Sequence, residues 1–549
     1  MAGNSVNEVN EKTLGMLPAE AAARFGEAEA LCFQGTRWSH TEFSAEVDRV
    51  AKGLMALGVA PGEKVALWMI NRPEWLFLMY GVAKIGAVLV PLNTRYRTSD
   101  VAYAVRQSDS ATWIIMARSG PVDFLAMVRD NLPPLAEQTR NALDVTDFPA
   151  LRRVIVFGDR PDAGMASWDA MITAGDEVSD ADLAARAAAV DPDETFLIAY
   201  TSGTTGSPKG VMHSHILVRN TIERIARLGF TPVDTIINSL PLFHLYAYGE
   251  GAMTCILSGA RQVLTEGFDA VETLDLIESE GVTVVHGFDT HYKDMMDEQA
   301  RNPRDISSLR LGTFPAGGPN SAPVAWRTQK EFVPTVSGWG MTETWAFAAV
   351  SRPDDTDEQR CEASGYPMPG MEFRVIDPDT GTDLKTDEEG ELLVRSYMTM
   401  KGYYNKPEET AKAIDADGWL HTGDTALLRA DGHIRFIGRF KDMLKVGGEN
   451  VAPVEVEAFL MDMPGVDQVA IIGIPDDRLA EVPVAFVVPK KGAHIGITGM
   501  DDFCRGKIAS FKIPRHVVLV TELPMTPTGK VQKHLLREQA EALKLGQSV

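Results

Sequence analysis

The sequence predicts an α/β fold: a large N-terminal domain of parallel α/β sheets with a small β-barrel-like subdomain, then a small α+β C-terminal domain. Three observations predict it. Between residues 41 and 116, apolar runs alternate with stretches of helical periodicity, the pattern of βαβ units and a largely parallel sheet. From residue 371 the rhythm changes to short alternating segments separated by turns. After about residue 443, a further helix and strands stand apart from both. At 549 residues the chain exceeds a single core, and length allows about three or four structural units.

Taken in order, Thr41 to Leu57 has helical periodicity, and Gly58-Val59-Ala60-Pro61-Gly62 is a turn. Val65–Ile70 is a buried strand, and Pro73 starts a helix running to Ile85, where its fixed φ suits the first turn. Ala87 to Pro91 is the next strand. Residues 117–190 carry Pro133-Pro134 and an Ala-rich helix near 181–189, and read as a surface excursion. Thr195–Tyr200 is a short strand, and Val211 onward returns to a mixed, helix-like pattern. Strands follow at Thr235–Leu240, Arg261–Leu264, Val282–His286 and Leu309–Phe314. Beyond Met371–Ile376 and Gly390–Arg395, two strands (Thr425–Arg429 and His433–Ile437) flank Asp431-Gly432, a hairpin signal. A compact barrel or a small sheet accommodates them. The last stretch offers the helix Pro453–Met461 and the strands Val469–Ile474 and Val484–Val488.

Hydrophobic residues make up 45% of the chain and charged ones 23%, the balance of an ordinary globular protein. A formal charge of −23 without a basic stripe argues against nucleic acid and against anionic membranes as partners. Cys32, Cys255, Cys361 and Cys504 are scattered with no metal-type spacing, which suits a reducing compartment. Met1 to Glu11 lacks a signal-peptide core, and no apolar run reaches membrane-spanning length. The expected location is the cytoplasm.

The chemistry concentrates in six stretches. Tyr200-Thr201-Ser202-Gly203-Thr204-Thr205-Gly206-Ser207-Pro208-Lys209-Gly210 joins five Ser/Thr hydroxyls, three glycines and a lysine. Glycines let backbone N–H groups face one point, hydroxyls add donors, and Lys209 adds charge, so the loop suits a polyphosphate. It is not a Walker A loop, because Gly203 is followed by Pro208-Lys209-Gly210 where Gly-Lys-Ser/Thr belongs. Leu240-Pro241-Leu242-Phe243-His244-Leu245-Tyr246 comes next; by itself His244 reads as a satisfied core histidine. Phe314-Pro315-Ala316-Gly317-Gly318-Pro319-Asn320 ends an apolar strand, where ligands of open α/β sheets bind. Its plain reading is a strand-ending turn. In Ser337-Gly338-Trp339-Gly340-Met341-Thr342-Glu343-Thr344 an aromatic between glycines can stack on a base, and Glu343 offers a hard carboxylate to Mg²⁺.

Trp419-Leu420-His421-Thr422-Gly423-Asp424 and Ile437-Gly438-Arg439-Phe440-Lys441-Asp442-Met443-Leu444-Lys445-Val446-Gly447-Gly448-Glu449-Asn450 form the fifth stretch, a turn carboxylate followed by a basic glycine-containing segment. The sixth, Pro524-Met525-Thr526-Pro527-Thr528-Gly529-Lys530, places a lysine in a terminal loop, where a solvated charge is the plain expectation.

In this order and over about residues 40–535, the motifs resemble those of the adenylate-forming superfamily, and within it the AMP-dependent acyl-CoA synthetases. Trp339 departs from that family's usual tyrosine. The resemblance implies an N-terminal AMP-binding domain over residues 1–437, a hinge over 438–443 and a mobile C-terminal domain over 444–549. ATP would be held by Thr201, Ser202, Gly203, Thr204, Thr205, Gly206, Lys209, Gly318, Pro319, Gly338, Trp339, Gly340, Thr342, Asp424, Arg439 and Lys530. Thr201 and Glu343 would bind Mg²⁺. His244, Tyr246, Phe288, Gly317 and Met341 would line the acyl pocket, and Lys441, Lys445, Gly447, Gly448 and Glu449 would serve the hinge and CoA. Lys530, Glu343, Thr201 and His244 would carry catalysis.

The implied reaction is ATP-dependent ligation of a carboxylic acid to CoA through an acyl-AMP, with release of pyrophosphate. Homodimers are common among such enzymes. Aromatic residues Tyr246, Tyr248, Phe288, Trp339 and Trp345 favour a medium-chain fatty acid or an aromatic or alicyclic one. Val285-His286-Gly287-Phe288-Asp289-Thr290 departs from the Val-Pro-Thr of many fatty-acid relatives. Two alternatives stand beside this reading: an adenylation enzyme that loads a carrier protein, and a catalytically silent nucleotide-binding relative. Phe243 is followed by His244 rather than the Asp of amino-acid-activating versions.

Overall fold

The computed structural model describes residues 11–133, 141–201, 208–317, 321–378, 380–439, 444–451, 453–524, 531–543 and 545. Two compact units divide them. One comprises Met1–Thr94, Val105–Ala199 and Gly210–Gly438; the other comprises Arg95–Ala104, Tyr200–Lys209 and Arg439–Val549.

Two sheets organise the first unit. In one, the strand order is Gly402–Tyr403, Lys209–Ser214, Thr195–Thr201, Val88–Pro91, Lys64–Trp68, Thr112–Met116, Arg153–Phe157, Ala166–Ser167. Its central pairs are parallel, and its strands are continuous apolar runs such as Val-Ala-Leu-Trp, as burial on both faces requires. The other sheet runs Thr335–Val336, Leu311–Thr313, Val284–His286, Thr235–Asn238, Arg261–Leu264, Glu29–Phe33, Thr36–Ser39. It too is parallel except for its terminal hairpin.

Helix Pro73–Lys84 begins on proline and is apolar on every side; Pro73 and Trp75 through Ala83 are all buried. Helix His40–Ala56 is amphipathic instead. Ser39 accepts from the Glu42 N–H at 3.2 Å while Glu42 accepts from the Ser39 N–H at 2.8 Å, a closed capping box.

Two expectations change. Lys209–Ser214 is a strand rather than the start of a helix-like stretch, because Val211 and Met212 pair with Tyr403 and Gly402 in an edge contact that only the fold supplies. Within the supposed excursion, Arg153-Val154-Ile155-Val156-Phe157 is a full strand of the first sheet, paired in parallel with Thr112–Met116. The helix expected near 181–189 forms over Asp180–Ala188, capped by Ser179.

A four-stranded sheet follows, ordered Met371–Ile376, Gly390–Ser396, Leu420–Leu428, Ile434–Arg439. Of the two forms left open by the sequence, it is the small sheet. The Asp431-Gly432 turn is where expected, with Gly432 at φ +83°. The second unit has a sheet ordered Glu449–Val451, Leu444–Val446, Ala480–Pro489, Val466–Asp476, with His516–Leu519 parallel to Ala480–Pro489. Helices Pro453–Met461, Ile497–Cys504 and Lys533–Ala542 accompany it. No helix among the described residues is long and apolar enough to cross a membrane.

His213, in strand Lys209–Ser214, and His215, just past its end, are both 2% exposed. His215 Nδ1 accepts the Leu14 N–H at 3.0 Å, and its ring stacks on Phe196. Burial lowers His213 to about 4 and His215 to about 3. The unfolded chain therefore takes up protons near pH 6.5 that the native state refuses, so their share of stability is full above that pH. It is lost as pH falls toward 4, by about 2 kcal/mol per histidine at pH 5. Urea midpoints measured from pH 8 to pH 4.5 should fall on the acid side, and His213→Gln should flatten that fall.

Candidate active site at the carboxyl edge of the second sheet

Strands Thr235–Asn238, Val284–His286, Leu311–Thr313 and Thr335–Val336 run in parallel, so their carboxyl ends face one way. Each delivers a stretch singled out in the sequence: Leu240–Tyr248, Gly287-Phe288, Phe314–Gly317 and Ser337–Trp345. Thr235–Asn238 sits between Arg261–Leu264 and Val284–His286, so the chain leaves it first to one side and then to the other. At such a reversal the loops part and leave a crevice.

Aromatic side chains gather at this edge. The Tyr246 ring meets Phe288 edge-on at 5.3 Å and Phe347 at 5.1 Å. Its hydroxyl donates to the Thr313 carbonyl at 3.0 Å. The Pro241-Leu242 turn is locked by buried Asn71, which donates to the Leu240 carbonyl at 2.9 Å and accepts from the Leu242 N–H at 2.8 Å. His244 beyond it is exposed, so the buried-core reading of this histidine fails. Its ring lies against Phe243 at 4.5 Å. Gly317 has φ +101°, and a Cβ there would reach the Ala363 backbone at 2.8 Å.

The stretch around Glu343 is strapped to the first sheet's edge. His213 Nε2 meets the Thr342 carbonyl at 2.7 Å, and the Glu343 carbonyl accepts the Met400 N–H at 2.8 Å. Lys401 N–H then donates to Met212 and Tyr404 N–H to Gly210. The Glu343 side chain is 7% exposed. Tyr403 donates to its Oε1 at 2.9 Å and is its hydrogen-bond partner among the described residues. Met341 packs with Val211, Met400, Tyr403 and Leu420. Gly340 is obligatory: a Cβ would fall inside the Ala346 carbonyl oxygen.

Trp339 and Asp424, from motifs 85 residues apart, meet: the indole N–H donates to Asp424 Oδ2 at 3.1 Å. Thus the tryptophan, standing where the family usually has tyrosine, gains a tether on the carboxylate expected to hold the nucleotide. Trp345 is fully buried at φ +66°, a rare conformation for so large a residue.

In the second unit, Thr201 is half-buried at the end of Thr195–Thr201, and Lys209 is 9% exposed. Lys445 is exposed on Leu444–Val446. Gly447 and Gly448 take φ +57° and +83°, leading to buried Glu449, which lies 3.7 Å from Arg95. Ser202, Gly203, Thr204, Thr205, Gly206, Gly318, Pro319, Lys441 and Lys530 lie outside the described residues, as does the side chain of Arg439.

Sequence reasoning missed Tyr403, Asn71 and His213. None belongs to a motif, and each acts through a partner far away in the chain. Only the doublet Tyr403-Tyr404 beside Gly402 offered a faint signal.

Residues 18–404 match the AMP-binding enzyme family, and residues 455–530 match the AMP-binding enzyme C-terminal domain. The chain belongs to the AMP-binding enzyme family, the adenylate-forming enzymes. It is 35% identical to the 3-[(3aS,4S,7aS)-7a-methyl-1,5-dioxo-octahydro-1H-inden-4-yl]propanoyl:CoA ligase of Rhodococcus jostii, over 94% of this chain and 97% of that one. It is 32% identical to the human mitochondrial medium-chain acyl-CoA ligase ACSF2, over 98% and 89%. Among solved structures, amide bond synthetase McbA from Marinactinospora thermotolerans superimposes with TM-score 0.80 at 27% identity, covering 96% of this chain and 99% of that one. The adenylate-forming enzyme expected from the motifs is borne out as an AMP-forming carboxylic acid–CoA ligase, which takes ATP, Mg²⁺ and CoA.

Two substitutions separate the backbone requirement from the carboxylate tether. Gly340→Ala should lower the melting temperature and abolish activity together. Tyr403→Phe should leave the fold intact while raising the Mg²⁺ concentration needed for half-maximal pyrophosphate release. An unchanged Mg²⁺ dependence in Tyr403→Phe would count against Glu343 as the expected Mg²⁺ ligand.

Proposed function

We propose that the acid activated is a medium-chain fatty, aromatic or alicyclic one, and that Glu343, Thr201, Lys530 and His244 carry the reaction. The observation that supports the acid class is the aromatic wall of Tyr246, Phe288 and Phe347 at the strand reversal. Exposed His244 stands two residues before Tyr246 of that wall, a position suited to the mouth of the acyl pocket.

A carboxylate is a poor acyl donor because oxide leaves badly. Attack on the α-phosphate of ATP repairs this by making a mixed anhydride, but it drives one anion toward another. Positioning and charge neutralisation therefore supply the catalysis. Glu343 fits Mg²⁺: a hard carboxylate oxygen donor, walled from bulk water and oriented by Tyr403. When bound, the ion neutralises phosphate charge. Thr201 joins Glu343 in this role by the resemblance. Lys530 pairs with the attacking carboxylate and the α-phosphate. Ser202, Gly203, Thr204, Thr205, Gly206 and Lys209 hold the departing phosphates. Trp339 offers an aromatic wall to adenine while its N–H steadies Asp424 for the ribose hydroxyls. Gly338, Gly340, Thr342, Gly318, Pro319 and Arg439 complete the nucleotide site.

In the second half-reaction the CoA thiolate attacks the acyl carbon and AMP leaves. We place the domain boundary at residues 438–443, with Lys441 as the hinge. Lys445, Gly447, Gly448 and Glu449 face the pantetheine in this reading, and the left-handed glycines support it by leaving backbone open to a narrow ligand. A cytoplasmic homodimer completes the proposal. Buried, unpaired Cys32, Cys255, Cys361 and Cys504 support a reducing compartment; the dimer rests on the family resemblance alone.

A panel of carboxylic acids, assayed for pyrophosphate release with and without CoA, tests the acid class. Sustained turnover should require CoA and one of the named classes. Lys530→Ala should lose about 100-fold or more in acid-dependent pyrophosphate release while still converting preformed acyl-AMP to thioester. Equal loss in both half-reactions would overturn its assignment.

A further inference from the structure

We infer that the acyl crevice ends in a polar floor, and that the acid bound there carries a hydroxyl or carbonyl oxygen remote from its carboxylate. The inference rests on the acyl-pocket reading above and sharpens it.

The floor is built around Arg224 and Glu250, paired at 2.8 Å with both side chains at zero exposure. Arg224 lies on the amphipathic helix Leu217–Leu228, whose inner face is otherwise apolar apart from Asn220 and Thr221. Glu250 lies in the π-helical turn Ala247–Met253, which follows Tyr246 of the crevice wall without a break. π-helical segments are rare and gather at functional sites. Wall and floor are continuous. The Phe347 ring touches Tyr246, and the Phe347 carbonyl accepts from Arg224 Nη1 at 3.4 Å.

Unspent hydrogen-bonding capacity collects at this point. The Trp345 indole N–H and the Tyr248 hydroxyl are fully buried and have no hydrogen-bond partner among the described residues. Their rings meet edge-on at 5.6 Å. Between Tyr248 and Glu250, Gly249 leaves a bare backbone face. A Cβ placed there would meet Arg224 Nη2 at 3.2 Å and Trp345 Nε1 at 3.3 Å, so both donors converge on that face. The left-handed backbone of Trp345 turns its indole into this cluster at a cost in strain.

A purely structural role accounts poorly for this group. Burying an ion pair gains little over apolar packing, and a buried donor left unpaired costs stability. A ligand oxygen would satisfy the idle donors. Charge decides its kind. Arg224 and Glu250 neutralise each other, so an anionic substituent finds no net attraction. Arg224 also donates through Nη1 to Asn220 and through Nη2 to Thr221 at 3.3 Å, so a ligand carbonyl would accept chiefly from the Trp345 N–H and share Nη2 with Thr221. A hydroxyl can do the same and also donate to Glu250.

Matched acids test this: octanoate against 8-hydroxyoctanoate and 7-oxooctanoate, and cyclohexanecarboxylate against its 4-hydroxy and 4-oxo forms. The readout is kcat/KM for CoA-dependent pyrophosphate release. Wild type should favour an oxygenated acid by about tenfold or more in at least one series, chiefly through KM. Arg224→Met/Glu250→Met, which strands neither charge, should turn that preference toward the plain acid. Should the double variant fail to fold, Tyr248→Phe removes only a buried hydroxyl of the cluster and should narrow the preference through KM. Preference for plain acids throughout, or an oxygen preference that these variants leave intact, would overturn the inference while sparing the acid class. Silence with every acid would overturn both.

Discussion

The hydrogen bond from Tyr403 to Glu343 is the contact on which the rest of the site depends. A carboxylate so nearly hidden from water needs a partner that fixes its direction without neutralising it. A phenol does this and an arginine would not. The bond exists only because Gly402–Tyr403 is itself an edge strand on Lys209–Ser214. The Met400 N–H meanwhile clasps the Glu343 carbonyl. One short strap therefore joins the exit of the glycine-rich stretch to the strand end that carries Trp339, Thr342 and Glu343.

From that strap the geometry follows. Parallel strands bring their carboxyl ends to one edge, and the reversal at Thr235–Asn238 opens it. Glycines then stand where backbone must pass backbone: Gly340 against Ala346, and Gly317 against Ala363. Aromatic rings cover the opening between Tyr246 and Phe288, so the crevice is apolar at its side. In the proposed reaction that wall takes the acid's body, while Glu343 stands on a separate stretch, where phosphate charge would develop.

Much of the first unit was legible because its strands are continuous apolar runs bounded by Gly and Pro, because Pro73 announces its helix, and because Thr41–Leu57 keeps helical periodicity. The motifs were legible because glycine and hydroxyl spacing has few other uses. What stayed hidden depends on pairing across the chain. Lys209–Ser214 has no strand signature until Gly402–Tyr403 lies beside it. Arg153–Phe157 had the β-branched run, but the polar, Pro-containing flanks disguised it. Tyr403, Asn71 and the Arg224–Glu250 pair act through partners far off in sequence, which no local pattern encodes. His244 misled in the other direction, since an apolar neighbourhood in sequence did not bury it. The Trp339 substitution was visible, but not its compensation, because the Asp424 tether belongs to a separate motif.

The central claim is that the acid passes through an acyl-adenylate, and following oxygen tests it most directly. With the substrate carboxylate doubly labelled with ¹⁸O, attack on the α-phosphate and departure of AMP leave one labelled oxygen in AMP and one in the thioester. The account predicts that single label in AMP and none in pyrophosphate. Label in inorganic phosphate, with ADP as the nucleotide product, would contradict it.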